Sequence, residues 1–289
     1  MTAADPFNLA EVAAAIAATS FANHLHHVAT TSSTNDLALS AAQSGARLGV
    51  WIADQQTSGR GRGNHTWHSA PCDGLYLSAL ISPAIPMQSA ISLSFTAAIA
   101  VQSAICSVFG FHRPDQIDIR WPNDLLLNRR KCGGILIETA SIPATLLQPS
   151  TLRYAVLGIG INVNHTVFPA ELDAIATSLR RELPNLGAPG LASETWVHEC
   201  LRREPLAAAI LIALDAELRA LTSNLAPRPS NLSQYSSWIS GKRVRVETCD
   251  DGSSGYTGVT AGLDPQGFLC VHGDDGQLHT VLSGGLREP

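Results

Sequence analysis

Hydrophobic residues recur along the chain with two spacings, one typical of helices and the other of strands. Helical spacing predicts helices over 7–19, 88–108 and 193–222. The N-cap residues of 31–35 predict that another helix begins there. Alternating or continuous apolar runs predict strands over 49–53, 75–81, 117–121, 133–139 and 154–164. The stretch 55–72, rich in Gly, Ser, Asn and His, is predicted to be a loop.

The pattern changes after the segment 226–233, which is rich in Pro, Ser and Asn and therefore predicts a boundary. Short apolar runs follow it, separated by Gly and Asp turns, at 243–248, 255–262, 268–272 and 277–282. This spacing fits a small all-β barrel of about five strands. We therefore expect two domains, one over 1–232 and one over 233–289.

Composition narrows the class of protein. The chain has 289 residues, 45% hydrophobic and 15% charged, which predicts a globular fold with a sizeable core. Its net charge of −5 argues against a general nucleic-acid or membrane-surface binder. The start lacks the basic region of a signal peptide, and no apolar run looks long enough to span a membrane. The scattered cysteines contain no Cys-x-x-Cys pair, so we expect reduced thiols in a cytoplasmic protein, with an organellar location left open.

The first motif with chemical potential is the Gly59–Gly63 stretch, which reads Gly-Arg-Gly-Arg-Gly. Glycines let the backbone approach a ligand closely, and Arg60 and Arg62 offer planar cationic donors for a carboxylate or phosphate. Ordering about ten such residues costs about 10–20 kcal/mol of backbone entropy, so we expect the loop to be mobile until an anion binds. A solvated loop or an Arg-Gly RNA-binding segment is the alternative, although two arginines in an acidic chain make a poor RNA site.

Two further motifs lie near predicted strands. In Arg120-Trp121-Pro122-Asn123-Asp124, the proline ends a strand and places Asn123 and Asp124 at a turn, where they could reach a ligand or Mg²⁺. An ordinary turn explains the same residues. Lys131 leads directly into a buried strand, and Gly133 and Gly134 beside it permit close ligand approach. A lysine that caps a sheet edge is the alternative here.

The fourth motif is the segment 158–164, Gly-Ile-Gly-Ile-Asn-Val-Asn. Period-two reading puts the apolar residues on one face and Gly158, Gly160 and Asn162 on the other. A strand with one bare face suits a flat ligand. The alternative interpretation of this segment is a bulged strand under a loop.

Three histidines, His24, His26 and His27, precede the first of these motifs on a predicted strand. They could bind a metal, but a hydrated or core-edge cluster is the favoured interpretation.

In this order the motifs resemble those of the biotin–protein ligases, which include bacterial biotin ligases and eukaryotic holocarboxylase synthetases. Ser33-Thr34-Asn35 resembles the family's Ser-Thr-Asn, and the stretch from Gly59 to Trp67 resembles its Gly-Arg-Gly-Arg loop with a trailing Trp. Residues 121–124 match Trp-Pro-Asn-Asp, 131–135 match Lys-x-x-Gly-Ile, and 158–162 match Gly-x-Gly-Ile-Asn. The likeness is strong over about 28–165 and weaker over 235–285.

The resemblance implies an α+β fold: a catalytic domain with a mixed β-sheet flanked by helices, like the class II aminoacyl-tRNA synthetases, and a C-terminal SH3-like barrel. It implies an ATP-dependent ligase that forms biotinyl-5′-AMP and transfers biotin to a lysine of a biotin carboxyl carrier domain. ATP and biotin are then substrates, Mg²⁺ accompanies them, and a biotin-dependent carboxylase supplies the partner. A homodimer is also possible.

The resemblance also implies a role for each matching residue. The ureido head or chain of biotin would be bound by Ser33, Thr34, Asn35 and Gln56. The loop residues Gly59, Arg60, Gly61 and Arg62 would close over the carboxylate and phosphate. The adenylate would also meet Trp67, Asn123, Asp124 and Asn162. Lys131 would stabilise the charge of the first step, so the catalytic set is Lys131, Arg62 and Asp124. The floor would consist of Gly133, Gly134, Gly158 and Gly160.

The chain departs from the family pattern at two positions. Asn64 stands where a Gly is frequent, and Arg120 replaces a Lys before Trp-Pro-Asn-Asp, which argues against proton transfer there. Only about 30 residues precede the first motif, so we expect no helix-turn-helix and no operator binding. A lipoate or octanoyl ligase of the same fold, and a non-catalytic biotin or nucleotide sensor, are the alternative functions.

Overall fold

A seven-stranded mixed sheet forms the frame of the larger part of the protein. The computed structural model describes residues 7–63, 65–110, 116–145, 148–183, 200–224, 235–247, 255–264, 266–282 and 284–289. The strands are β1 (Leu25–Thr31), β2 (Gly49–Gln56), β3 (Gly74–Ile81), β4 (Ile117–Arg120), β5 (Asp124–Leu127), β6 (Arg130–Ile142) and β7 (Thr151–Asn162). Their order is β1-β2-β3-β7-β6-β5-β4, and only the β1–β2 pair is parallel among these neighbours.

Six helices accompany this sheet in the described ranges. They are α1 (Leu9–Ala15), α2 (Thr34–Gln43), α3 (Ala90–Phe109), α4 (Ala170–Asp173), α5 (Leu179–Glu182) and α6 (Glu204–Asn224). Helix α1 is shorter than predicted and ends at Ala15; beyond it, Ser20 bonds to Asp215 of α6 through its backbone N–H and its hydroxyl. The predicted helix over 193–222 begins at Glu204, and residues 193–199 lie outside the described residues.

Helix α3 corrects the expectation that no segment is long and apolar enough to cross a membrane. Met87–Phe109 meets that criterion by length and composition. Small polar residues such as Ser92 and Ser94 interrupt its apolar sequence, but they do not lower its mean hydropathy to that of a surface helix. Two thirds (67%) of the apolar window is nevertheless buried inside the protein. The helix packs against α6 and the sheet, so its apolar character reflects a place in the core.

The two faces of the sheet carry different layers, because successive side chains of a strand point to opposite sides. On β7, Leu157, Ile159 and Ile161 join the large core formed with α3 and α6. Tyr154 and Val156 point to the other face and pack with Ala38 and Ala42 of α2. Further along this second face the side chains become glycines, and it is there that the polar motifs meet.

A smaller antiparallel sheet follows in the C-terminal part. Its strands are β8 (Ser240–Glu247), β9 (Gly255–Leu263), β10 (Leu269–Gly273), β11 (Leu278–Val281) and β12 (Gly285–Arg287), ordered β11-β10-β9-β8-β12. Trp238 and Val244 belong to the same apolar core as α3. The predicted α+β class with a small all-β C-terminal unit is confirmed. The boundary at 232/233 lies outside the described residues and stays a prediction.

Candidate active site

A cleft opens on the α2 face of the large sheet, where β6 and β7 carry glycines side by side. Gly134 pairs with Gly160, and Leu136 pairs with Gly158. Directly paired residues of antiparallel strands share a face, so the missing side chains leave one continuous depression. The cleft is lined by Ser33, Thr34, Asn35, Gln56, Arg60, Gly61, Arg62, Trp67, Asn123, Lys131, Gly134, Ile135, Leu136, Gly158, Ile159 and Gly160.

The indole of Trp67 lies directly on this glycine floor. A Cβ atom added to Gly160 would lie 2.6 Å from Trp67 Nε1, and one added to Gly134 would lie 3.0 Å from Trp67 Cζ3. A Cβ atom at Gly160 would overlap the indole and one at Gly134 would make an unusually tight contact, so glycine at both positions lets the indole approach the sheet. Trp67 Nε1 is buried and has no hydrogen-bond partner among the described residues. A ligand that enters the cleft therefore meets the indole over the glycine floor.

The N-terminus of α2 supplies the polar wall of the cleft. Ser33 is the N-cap and accepts a hydrogen bond from the Asn35 N–H at 3.3 Å. Gln56 Oε1 accepts from the Thr34 N–H at 2.8 Å, and Gln56 Nε2 donates to Ser69 Oγ at 3.0 Å. Three of these residues, Ser33, Thr34 and Asn35, are buried. The positive end of the helix and this set of fixed donors and acceptors suit a polar group better than an apolar one.

At one end of the cleft a buried carboxylate holds two cations. Asp124 Oδ1 lies 2.6 Å from Lys131 Nζ, and Asp124 Oδ2 lies 2.5 Å from Arg120 Nη2. Burial raises the pKa of the Asp124 carboxyl, but the charges and hydrogen bonds of Lys131 and Arg120 outweigh it, so the pKa lies below its usual value. Lys131 Nζ also lies 5.4 Å from the centroid of the Trp67 ring. Asp124 thus fixes Lys131 beside the glycine floor.

Arg62 lies at this same end. Its Nη1 donates to Asn123 Oδ1 at 3.3 Å and to the Gly284 carbonyl of the C-terminal part at 3.2 Å. Asn123 Nδ2 donates to the Ile135 carbonyl at 2.9 Å, which fixes the side chain that receives Arg62. The loop, the β4–β5 turn and the C-terminal sheet therefore meet beside Lys131.

Arg60 is placed differently from the prediction that both arginines close over one anion. Its Nη2 lies 2.6 Å from Glu138 Oε2 and 3.0 Å from Asp36 Oδ1. Glu138 lies on β6, four residues beyond Gly134, and four strand residues span about 13 Å. Arg60 therefore occupies the end of the cleft opposite Lys131, where two carboxylates already neutralise it.

Four predicted residues do not line the cleft. Gly133 is adjacent to Gly134 in β6 and so faces the core, where an added Cβ would lie 2.8 Å from Ile161 Cδ1; its assignment to the floor is wrong. Asn162 is buried and donates to the Thr177 carbonyl at 3.0 Å. Gly59 lies at the base of the loop, and Asp124 acts on the cleft through Lys131. Asp124 begins β5 and so lies one position beyond the predicted turn.

Some residues around the cleft were not among the predicted ones. Ser78 Oγ lies 2.5 Å from Asn35 Oδ1 and 2.7 Å from Thr34 Oγ1. A lone serine in the otherwise apolar strand β3, facing the same side as Gly158, was the available signal. Asp36 and Glu138 gave no comparable signal, because the pairs they form with Arg60 are distant in sequence.

The three histidines do not gather around one point. His26 stacks on Trp51, and His27 Nε2 lies 3.0 Å from Asp54 Oδ2. In the ranges that the structure describes, no group of three or more His, Cys, Asp or Glu side chains could hold a metal ion. The metal interpretation of this cluster is therefore not supported.

Comparison with known proteins agrees with the fold. Residues 28–162 match the model of the biotin/lipoate A/B protein ligase family, and residues 239–284 match the biotin protein ligase C-terminal domain. The chain is 34% identical over 263 residues to the biotin–[acetyl-CoA-carboxylase] ligase of Mycobacterium tuberculosis, covering 89% of this chain and 86% of that protein. It is 33% identical to the bifunctional ligase/repressor BirA of Bacillus subtilis, covering 88% of this chain and 70% of that protein.

Solved structures show the same fold. The biotin protein ligase of Aquifex aeolicus, in complex with biotin and ATP, superposes with a TM-score of 0.67 at 22% identity, covering 92% of this chain and all (100%) of that one. The biotin protein ligase of Leishmania major, in complex with biotinyl-5-AMP, gives a TM-score of 0.56 at 21% identity over 90% of this chain and 99% of that one. The glycine-floored sheet thus belongs to a fold that is shared across distant organisms.

The buried carboxylate predicts how stability depends on pH. Because the pKa of Asp124 is lower in the folded chain than the 3.8 of an ordinary Asp, its contribution to stability is present above pH 3.8 and is lost as the pH falls through the folded-state pKa. Asp124→Asn should lower the free energy of unfolding at pH 7 and flatten its decline below pH 4, as measured by urea unfolding over that range. The exposed Asp173→Asn is the control. Parallel pH profiles for Asp124→Asn and the parent would contradict this account.

Proposed function

The chain belongs to the biotin protein ligase family of enzymes, and from this premise we propose that it activates biotin with ATP as biotinyl-5′-AMP and transfers it to a lysine of a biotin carboxyl carrier domain. The observation that carries the proposal is the meeting of Lys131 and Arg62 beside a glycine floor, with a polar wall at the other side. A carboxylate and a phosphate need cations at one point, and an uncharged polar head needs fixed hydrogen-bond partners elsewhere.

In the first step an oxygen of the biotin carboxylate attacks the α-phosphorus of ATP, and the bond to pyrophosphate breaks. Both reactants are anionic, so a positive charge at their meeting point lowers the barrier. Lys131 held about 4 Å from the phosphate would contribute about 4 kcal/mol at an effective dielectric of 20. The pairing of its Nζ with Asp124 reduces that charge but fixes its position, so part of the benefit comes from geometry.

In the second step the neutral amine of the acceptor lysine attacks the acyl carbon, and the bond to AMP breaks. Asp124 is a poor base for the proton of this amine, because its pKa is lowered by the two cations it holds. We therefore assign Asp124 to positioning Lys131 and leave proton removal to the departing phosphate or to solvent. Arg120 supports Asp124 through Nε and Nη2, both of which donate to Asp124 Oδ2.

The remaining cleft residues are assigned to binding. Ser33, Thr34 and Gln56 form the wall that suits an uncharged polar head such as a ureido ring. Trp67 supplies an apolar surface over Gly134 and Gly160. A flat group of the ligand either stacks against this indole or displaces it. The Gly59–Gly63 loop covers the cleft from above.

Among the described residues, no group of three or more His, Cys, Asp or Glu side chains could hold a metal ion such as Mg²⁺. Asp124 is the carboxylate at the Lys131 end, and both of its oxygens are already paired with cations. Mg²⁺ that enters with ATP is expected to be held by the phosphates and water. No step of the proposed reaction is assigned to a protein-bound metal.

The partner and the location follow from the proposed reaction and from composition. The acceptor is a carrier domain of a biotin-dependent carboxylase, and the protein is expected in the cytoplasm as a monomer or homodimer that does not bind nucleic acid.

A lipoate ligase is the second candidate, because the matching family model covers both biotin and lipoate ligases. The two candidates are separated by measuring pyrophosphate release from ATP with biotin or with lipoate. We expect release with biotin and none above background with lipoate, because the polar wall would leave its donors and acceptors unpaired against an apolar head. Release with lipoate alone would overturn the proposal.

Removing Lys131 tests the mechanism directly. Lys131→Ala should slow pyrophosphate release by about 100-fold or more, the usual effect of losing one fixed cationic or donor group at a developing charge. The chain contains one other lysine, Lys242, which contacts Glu288 and Trp238 in the C-terminal part, and Lys242→Ala is the matched control. A parental rate for Lys131→Ala, with an unchanged circular dichroism spectrum, would show that Lys131 has another role.

A further inference from the structure

Arg60 joins the loop to both α2 and β6 at the end of the cleft away from Lys131. The loop itself is a small hairpin, in which the Gly61 N–H donates to the His65 carbonyl at 2.7 Å and the Trp67 N–H donates to the Gly59 carbonyl at 2.8 Å. Backbone bonds within a hairpin do not fix where it lies. The two carboxylates that hold Arg60, those of Asp36 and Glu138, come from elements that belong to the rigid frame.

Glu138 is itself held by a buried hydrogen-bond chain. Its Oε2 accepts from Asn35 Nδ2 at 2.7 Å, and Asn35 Oδ1 lies 2.5 Å from Ser78 Oγ. An amide oxygen only accepts and an amide NH₂ only donates, so this orientation of Asn35 is the one that serves both neighbours. Beneath Asn35 lies Gly158, where a Cβ would come within 2.3 Å of Oδ1. Asn35 thus uses its amide oxygen and an N–H inside the protein while it also lines the cleft.

The chain from Ser78 through Asn35 and Glu138 to Arg60 runs from the buried sheet to the loop. Ser78 is fully buried, whereas the side chains of Glu138 and Arg60 are 26% and 38% exposed. These contacts therefore connect a buried side chain of the sheet to the loop and restrict where the loop lies. Because Arg60 is already neutralised by two carboxylates, it adds little positive charge for a phosphate, and its role differs from that of Arg62.

We infer that Glu138 and Asp36 are positioning residues that hold the Gly59–Gly63 loop over the cleft through Arg60. They set the affinity for the uncharged end of the ligand and leave the chemistry at Lys131 unchanged. The ligand part of this inference rests on the proposed function, whereas the effect on the loop is measured without a ligand.

The first experiment measures tryptic cleavage after Arg60 and Arg62 in the full chain without ligand. Glu138→Gln keeps the size of the side chain but removes the charge, and it should speed cleavage about threefold or more, since a partly exposed ion pair and its attached hydrogen bond are lost. Asp36→Asn should have a smaller effect, because Asp36 is more exposed at 45%. The control is Glu247→Gln, which removes a similar pair with Arg287 on the C-terminal sheet.

The second experiment measures pyrophosphate release as a function of biotin concentration. Glu138→Gln should raise the KM for biotin several-fold with kcat unchanged. In an Arg60→Ala background the same substitution should raise the KM little further, because both changes remove the same ion pair. Unchanged cleavage of the loop in Glu138→Gln, or a fall in kcat at constant KM, would overturn the inference. If the parent shows no activity with biotin, the proposed function fails, while the cleavage rates still decide whether Glu138 holds the loop.

Discussion

The cleft depends on a packing constraint at Gly134, Gly158 and Gly160. These residues lie on one face of two neighbouring strands, and they are the reason that the face is open where the rest of the sheet is covered. Trp67 lies against two of them and Asn35 against the third; a Cβ atom would clash at Gly158 and Gly160 and would be unusually tight at Gly134. The opposite face of the same strands is filled by Ile159 and Ile161, which anchor the strands in the core. One strand therefore serves stability on one side and ligand access on the other.

Electrostatics then divide the cleft into two functional ends. At one end Asp124 holds Lys131 and Arg120, and Arg62 approaches from the loop, so this end carries net positive charge. At the other end Asp36 and Glu138 neutralise Arg60. A ligand with an anionic end and an uncharged polar end matches this asymmetry, whereas a dianion spread over the whole cleft does not. The acidic net charge of the chain is compatible with this, because the positive charge is local.

The sequence predicted the strands that carry the motifs, and the motifs themselves, because these are local patterns. It did not predict β5, which is four residues long, or the short helices α4 and α5. The misplacement of Gly133 was avoidable, since adjacent residues of a strand must face opposite sides. The pairing of Arg60 with Glu138 was not predictable, because the partners are 78 residues apart and no local pattern encodes them. The same holds for Arg62 and Gly284, which are 222 residues apart. Asn64 lies outside the described residues, so the effect of that departure stays open to experiment.

Transfer of biotin from this cleft to a lysine of a carrier domain can be detected with a streptavidin blot. A carrier domain is incubated with the full chain, biotin and Mg-ATP, alongside the same domain with its acceptor lysine changed to arginine. We expect a streptavidin signal on the parent domain that requires ATP and is absent from the arginine variant. No signal on the parent domain, or equal signals on both domains, would contradict it.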